Sequence, residues 1–172
     1  MIELVPPSPD LYDSWLEAED EFGDAHRDGS GFSGPRPSTD RPAYDAMVAD
    51  RLSMADPSTP VPEGFVHCTF LWMVGEAEFI GYLAIRHALT PFLLEEGGHV
   101  GYSVRPSRRQ EGHATRALGL SLPVAESLGI ERVLVTCDDD NIGSYRTIEA
   151  NGGVLEDVRN GKRRYWLDAS AR

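Results

Sequence analysis

Cysteine is nearly absent: Cys68 and Cys137 are the only two in 172 residues, and their spacing is not that of a metal site. This excludes a disulfide scaffold and a cysteine-held zinc centre. No apolar run approaches the roughly 20 residues of a membrane helix, so a spanning segment is excluded as well. The N-terminus, "MIELVPPSPD", lacks the basic start and apolar stretch of a secretory signal. Basic residues are also scarce, with 16 Lys and Arg against 28 Asp and Glu and a net charge of −12. Binding to nucleic-acid phosphates needs a basic face, so nucleic acid is not an expected partner. No internal repeat is visible, which excludes a repeat array. Hydrophobic content of 41% and length fit one soluble domain over residues 1–172, with the reducing cytoplasm as its expected home.

Periodicity then orders the chain. "MIELV" reads as a first strand, stopped by "PPSP". From Asp10 to Phe22, Leu11, Trp15, Ala18 and Phe22 recur at helical spacing, with Asp13, Glu17, Asp20 and Glu21 on the other face. Trp15 and Phe22 belong to the core stripe. A Gly/Pro/Ser-rich loop spans 28–42, and "AYDAMVADRLSM" reads as a second helix. "FVHCTFLWMV" and "EFIGYLAIRH" form an antiparallel hairpin, in which Trp72 is a packing residue. "PFLLEEGG" is a helical turn, and "HVGYSVRP" is a strand ended by Pro106. A helix over 112–128 carries Ala114, Ala117, Leu118, Leu122, Ala125 and Leu128 on one face, and Pro123 inside it predicts a kink. "IERVLVTCD" is a buried strand, with Cys137 near its end. A short helix follows, with Asn141 at its N-cap and Gly152 or Gly153 as its stop. "VLEDVR" and "KRRYWLD", joined by "NG", close the chain as a hairpin, with Trp166 as a packing residue. The expected class is α/β (α+β): one mixed, mostly antiparallel twisted sheet flanked by helices. The strands at 98–105 and 132–137 form its central parallel pair.

The stretch "SRRQEGHAT" at 107–115 stands where a strand ends and a helix begins. A helix start carries unpaired N–H groups and partial positive charge, and a glycine there lets an anion approach the backbone. Arg109 can reach the anion that the amides of Gly112, His113 and Ala114 would hold, and Arg108 can reinforce the charge. The alternative is a solvated turn. Neither a P-loop nor a G-x-G-x-x-G fingerprint is present.

"RQEGHA" fits the pattern [Q/R]-x-x-G-x-[G/A], followed by a helix, the strand "RVLVTCD" and "NIGSYRTIEANGG". In this the chain resembles the GNAT acyltransferases over about residues 64–168. The resemblance implies an N-acetyltransferase that uses acetyl-CoA as cosubstrate and no metal. The acetyl group would pass directly to a primary amine in a ternary complex. It places Arg109, Gln110, Glu111, Gly112, His113, Ala114 and Thr115 at the pyrophosphate, and Ser103, Val104 and Arg105 along the pantetheine arm. Asn141 would bond that arm, and Ser144 lies beside it. Splayed strand ends would free an amide near Val104 for the thioester oxygen. Members are often dimers, so a homodimer is an expected partner state.

Many members carry a Tyr seven residues after the Asn, where this chain has Ile148. Ser144 and Tyr145 are substitute acids. His99 and Tyr102 lie on the central strand, on opposite faces. His99 is a candidate base, Tyr102 a second catalytic candidate, and His67 and His87 weaker ones. "DDD" at 138–140 and Glu17, Glu21 and Asp24 could attract a cationic acceptor, whether a small molecule or a peptide amine. Solvated faces are the alternative. Two other readings stay open: a non-catalytic acyl-CoA-binding module, and a transferase for another acyl donor.

Overall fold

The computed structural model describes residues 1–32, 34 and 36–170. Its elements follow in order: β1 (Glu3–Val5), α1 (Tyr12–Phe22), α2 (Arg41–Ser53), β2 (Cys68–Gly75), β3 (Glu78–Arg86), β4 (Val100–Val104), α3 (His113–Ser127), β5 (Arg132–Asp138), α4 (Ile142–Ala150), β6 (Val154–Arg159) and β7 (Lys162–Asp168). A π-helical turn, Leu93–Gly97, precedes β4. Local chemistry sets several boundaries. The Asp40 carboxylate caps α2 by accepting from the Ala43 N–H at 2.9 Å, with Pro42 in the first turn. The "NG" of the closing hairpin takes φ of 51° and 74°, the left-handed pair of a two-residue hairpin turn. Helix α3 runs on through Pro123 without a break.

The expected single sheet is two. One has the order β1-β2-β3-β4, the other β5-β7-β6, and every ladder in both is antiparallel. No ladder joins β4 to β5, so the expected central parallel pair is not formed as paired strands. Among the described residues one main-chain bond crosses between them, His99 N–H to the Leu134 carbonyl at 2.7 Å. Beyond that point the strands part.

The first sheet is packed on both faces. Along β2 and β3, where a bulge shifts the register at Met73 and Val74, Trp72, Phe79 and Tyr82 go to one side, against Trp15, Ala18 and Phe22 of α1 and Tyr44 and Val48 of α2. Leu71, Met73, Ile80, Leu83 and Ile85 go to the other side, with Ala117, Leu118, Leu122 and Ala125 of α3 and Val133, Val135, Tyr165 and Leu167 of the second sheet. Full burial of an aliphatic side chain in that layer contributes about 1.5–3 kcal/mol. The aliphatic layer therefore couples the two sheets where backbone pairing does not. Among the described residues, no helix is long and apolar enough to cross a membrane.

Candidate active site

The parting of β4 and β5 opens a cleft of about 820 Å³. Its first wall is the free edge of β4. The Arg86 N–H bonds the His99 carbonyl, and the Arg105 N–H bonds the Ile80 carbonyl. Alternation in an antiparallel ladder then turns the main-chain groups of 101 and 103 toward β3, and those of Val100, Tyr102 and Val104 toward the cleft.

The second wall is the turn from β4 into α3. Gln110 and Gly112 both have positive φ, 65° and 81°. Gly112 is the N-cap of α3, and no side chain caps that end. The first helical bond inside the turn is Arg116 N–H to the Gly112 carbonyl at 3.0 Å. Among the described residues, the amides of 110–115 meet no acceptor. A curved run of bare N–H groups at the start of a 15-residue helix is an anion cradle. Arg109 lies across it, its Nε donating to the Val104 carbonyl at 3.0 Å. Arg109 and Arg146 both line the cleft, and neither has a carboxylate within ion-pair distance among the described residues. Arg108 is less available than the sequence suggests, because Glu78 and Glu111 hold its guanidinium.

At the floor, α4 meets β4 and β5. The Asn141 carboxamide oxygen accepts the Ser144 N–H at 3.0 Å and so starts α4 beside the cleft. This turns Ser144 toward Tyr102, and their hydroxyls lie 2.8 Å apart. Burial pushes the Tyr102 phenol above its usual range, against the hydrogen bond with Ser144. Cys137 lines the same floor, and burial pushes its thiol up to about 11. Thr115 and Thr147 close the corner between α3 and α4, where the Asn151 amide donates to both their carbonyls at 3.0 and 2.9 Å.

Of the residues singled out from the sequence, Tyr102, Ser103, Val104, Arg109, Gln110, Gly112, His113, Ala114, Thr115, Asn141 and Ser144 line this one cleft. Three do not. Arg105 is 4% exposed, and its guanidinium is held by Glu21 at 2.5 Å and Glu78 at 3.0 Å. Its N–H serves β3, so it has nothing to offer along the β4 edge. The carboxylate of Glu111 is bonded to Arg108 at 3.1 Å and to the His113 ring at 3.0 Å. His99 is buried at the seam, where its Nδ1 accepts the Leu134 N–H at 2.9 Å. Burial, then the nearby Arg86, push that imidazole down to about 4. It stands outside the cleft with its lone pair in use, so the base is to be sought elsewhere.

Ile148 points into the core at 0% exposure, and Tyr145 packs against the aliphatic layer, with Arg163 4.4 Å over its ring. Neither reaches the floor. Glu17 and Asp24 lie outside the cleft, and Glu21 is consumed by Arg105 and Ser107. Asp138 lines the cleft but is paired with Lys162 at 2.5 Å. The sequence reading missed His26, Asp28, Arg86, Glu96, Thr136, Arg146 and Lys162, all of which line it. None carries a periodic or motif signal. Among the described residues, no group of three or more His, Cys, Asp or Glu could hold a metal ion.

Comparison with known proteins gives a consistent picture. A family model described as an acetyltransferase (GNAT) domain matches residues 2–154. No curated protein matches the chain. RimJ of Mycobacterium smegmatis, solved with CoA-disulfide, is 16% identical with a TM-score of 0.70, covering 98% of this chain and 82% of its own. MccE, the microcin C7 self-immunity acetyltransferase solved with acetyl-CoA and AMP, is 14% identical with a TM-score of 0.67, covering 97% and 92%. The Salmonella typhimurium enzyme that modifies the N-terminal serine of ribosomal protein L7/L12 is 15% identical with a TM-score of 0.63, covering 97% and 94%. At these identities the likeness is one of fold.

Proposed function

The chain belongs to the GNAT acetyltransferase family, and on that premise we propose that residues 1–172 form one domain that moves an acetyl group from acetyl-CoA to a cationic primary amine in a ternary complex. The observation that carries this reading is the run of unpartnered amides at 110–115 beside the free edge of β4. The cradle suits a pyrophosphate, with Arg109 and Arg146 as its cations. The unpaired main-chain groups of Val100 and Tyr102, with the Val104 N–H, suit the amides of a pantetheine arm. Its thioester would then lie near Tyr102, Cys137 and Ser144. Solved neighbours with CoA or acetyl-CoA bound, and one that modifies an N-terminal serine, support the same donor and an amine acceptor.

The chemistry divides among these groups. The amine nitrogen, once neutral, forms the C–N bond to the acetyl carbon. A β4 amide stabilises the charge that develops on oxygen. The C–S bond breaks with its electron pair on sulfur, and nitrogen sheds its extra proton to solvent. The Tyr102 and Ser144 hydroxyls donate hydrogen bonds to the departing sulfur, and the thiolate takes its proton from solvent. Thiolate is a good leaving group, so this stabilisation is a moderate aid.

A free-thiol assay with acetyl-CoA and a panel of amines tests the proposal. The expected result is thiol release that depends on both substrates. The second reading, a module that binds acyl-CoA without turnover, is favoured by one observation: Ile148 leaves the usual tyrosine position filled by core. Stabilisation by CoA with no thiol release from any amine would decide for it.

A further inference from the structure

Residues 26–28 point alternately out, in and out. The side chains of His26 and Asp28 are 73% and 66% exposed, and both line the cleft. Arg27 between them is 3% exposed. Its Nε donates to Glu19 at 3.0 Å, and its two terminal nitrogens donate to the carbonyls of Ala25 at 2.8 Å and Gly23 at 2.6 Å. The same Glu19 oxygen accepts from the Tyr82 hydroxyl at 2.8 Å. A buried ion pair in the aromatic layer thus pins this arm from below.

The arm is also fastened to β4. The Ser103 hydroxyl donates to the Asp28 carbonyl at 2.9 Å. Gly29 lies so close to the strand that a Cβ there would come within 2.4 Å of the Gly101 oxygen. The arm therefore presents His26 and Asp28 to the cleft beside the β4 edge. The His26 Nε2 lies 3.2 Å from the Asp28 Oδ1.

Tyr102 of β4, Arg86 of β3, Glu96 of the π-helical turn, Cys137 and Asp138 of β5 and Lys162 of β7 line the same cleft. Lys162 is paired with Asp138, and Arg86 donates to the carbonyls of Gly97 and Gly98 at 2.8 and 3.1 Å. Asp28 and Glu96 remain as carboxylates with no Lys or Arg within ion-pair distance among the described residues. Arg109 and Arg146 line the same cleft. Phosphates of a donor suit these arginines, and the ammonium of an acceptor suits Asp28 and Glu96.

We propose that the His26–Asp28 pair is the acid–base group for the acceptor amine. This rests on the acetyl-transfer reading above. Asp28 accepts the Nε2–H of His26 and faces the incoming ammonium, which leaves Nδ1 with its lone pair. The ammonium gives one proton to Nδ1, and its nitrogen keeps the electron pair that then attacks the thioester. The resulting imidazolium is held beside the Asp28 carboxylate and returns its proton to solvent, to which its ring is open. Imidazole is the side chain suited to such an exchange near neutral pH.

The test is kcat/KM against pH for the full chain, for His26→Gln and for Asp28→Asn, using an amine that the wild type acetylates. Calorimetry with CoA runs alongside. Expected are a loss of about a hundredfold or more in kcat/KM for His26→Gln, with the acidic limb of its profile flattened. For Asp28→Asn the amine KM should rise about tenfold. CoA affinity should stay within twofold in both, which shows the cradle and the fold intact. Wild-type turnover with both variants unchanged in rate and profile would overturn this inference alone. A wild type that acetylates no amine while binding CoA would overturn the reading beneath it, and this inference with it.

Discussion

His99 and Leu134 exchange two hydrogen bonds across the seam between the sheets. The His99 N–H donates to the Leu134 carbonyl at 2.7 Å, and the Leu134 N–H donates to the His99 Nδ1 at 2.9 Å. The second bond needs a neutral imidazole. Trp166 closes over the ring at 6.4 Å between centroids, edge to face. The cleft opens where this joint stops.

That joint predicts an acid sensitivity. In the fold His99 stays neutral down to about 4, whereas in the unfolded chain it takes a proton near 6.5. Between those values the unfolded state binds more protons, so stability is full above pH 6.5 and is lost as pH falls toward 4. The loss amounts to up to about 3 kcal/mol. Thermal melts from pH 7 to 4 should fall more steeply for the wild type than for His99→Gln. Parallel curves would contradict the assignment. Glu21 acts in a lower window. Burial raises its carboxyl, but bonds from Arg105 and Ser107 outweigh this and hold it at about 2, so its share is lost between pH 4.5 and 2.

The anion cradle predicts a separation of binding from stability. A Cβ at Gly112 meets nothing within 4 Å, so the cost of Gly112→Ala is the strain of φ +81°, about 1 kcal/mol. Gly112→Trp should also obstruct the amides and weaken CoA binding by an order of magnitude or more. Arg109→Ala should weaken it by about tenfold with little change in melting temperature. Calorimetry showing wild-type CoA affinity in both would remove the site from this loop.

Tyr102 and Ser144 share one hydrogen bond, so their contributions to stabilising the departing thiolate should not add. Tyr102→Phe and Ser144→Ala are each expected to lower kcat by about tenfold, and the double variant hardly further. The KM for acetyl-CoA should move little. Steady-state rates that multiply in the double variant would show two independent roles.

The pair Glu19–Arg27 is buried on both sides, at 0% and 1% side-chain exposure. Burial is the main influence on the Glu19 carboxyl and raises it. Arg27→Met would leave that carboxyl without its cation and should cost about 3–5 kcal/mol. The double variant Glu19→Gln, Arg27→Met should recover much of this, because no charge is then stranded. Denaturant titration of the three variants gives the coupling directly.

Several features were legible because they are local. The stripe Trp15, Ala18 and Phe22 needs only the helical period, and all three are buried. Asn141 needs only its own side chain to start α4, and "NG" only its own backbone to turn. The unpartnered amides of 110–115 needed only a strand end, a glycine and a helix start. Others were not legible. Arg105 looked like a neighbour of the donor and is instead drawn inward, because ladder alternation turns its N–H to β3 and Glu21 and Glu78 surround its side chain. His99 looked like a base and is a structural joint. His26 and Asp28 carried no periodic or motif signal, and only the folded chain brings them to the cleft.

By itself the amino-acid order determined the elements, their caps and the bare amides of the turn before α3, since each depends on contacts within a few residues. Tertiary structure alone decided where the sheets part, which hydroxyls meet on the cleft floor, and which charges stay unpaired in it. Those outcomes depend on partners such as Glu19 and Tyr82, or Ser103 and Asp28, that lie 63 and 75 positions apart. No pattern in a single segment records which of its faces a distant strand will cover.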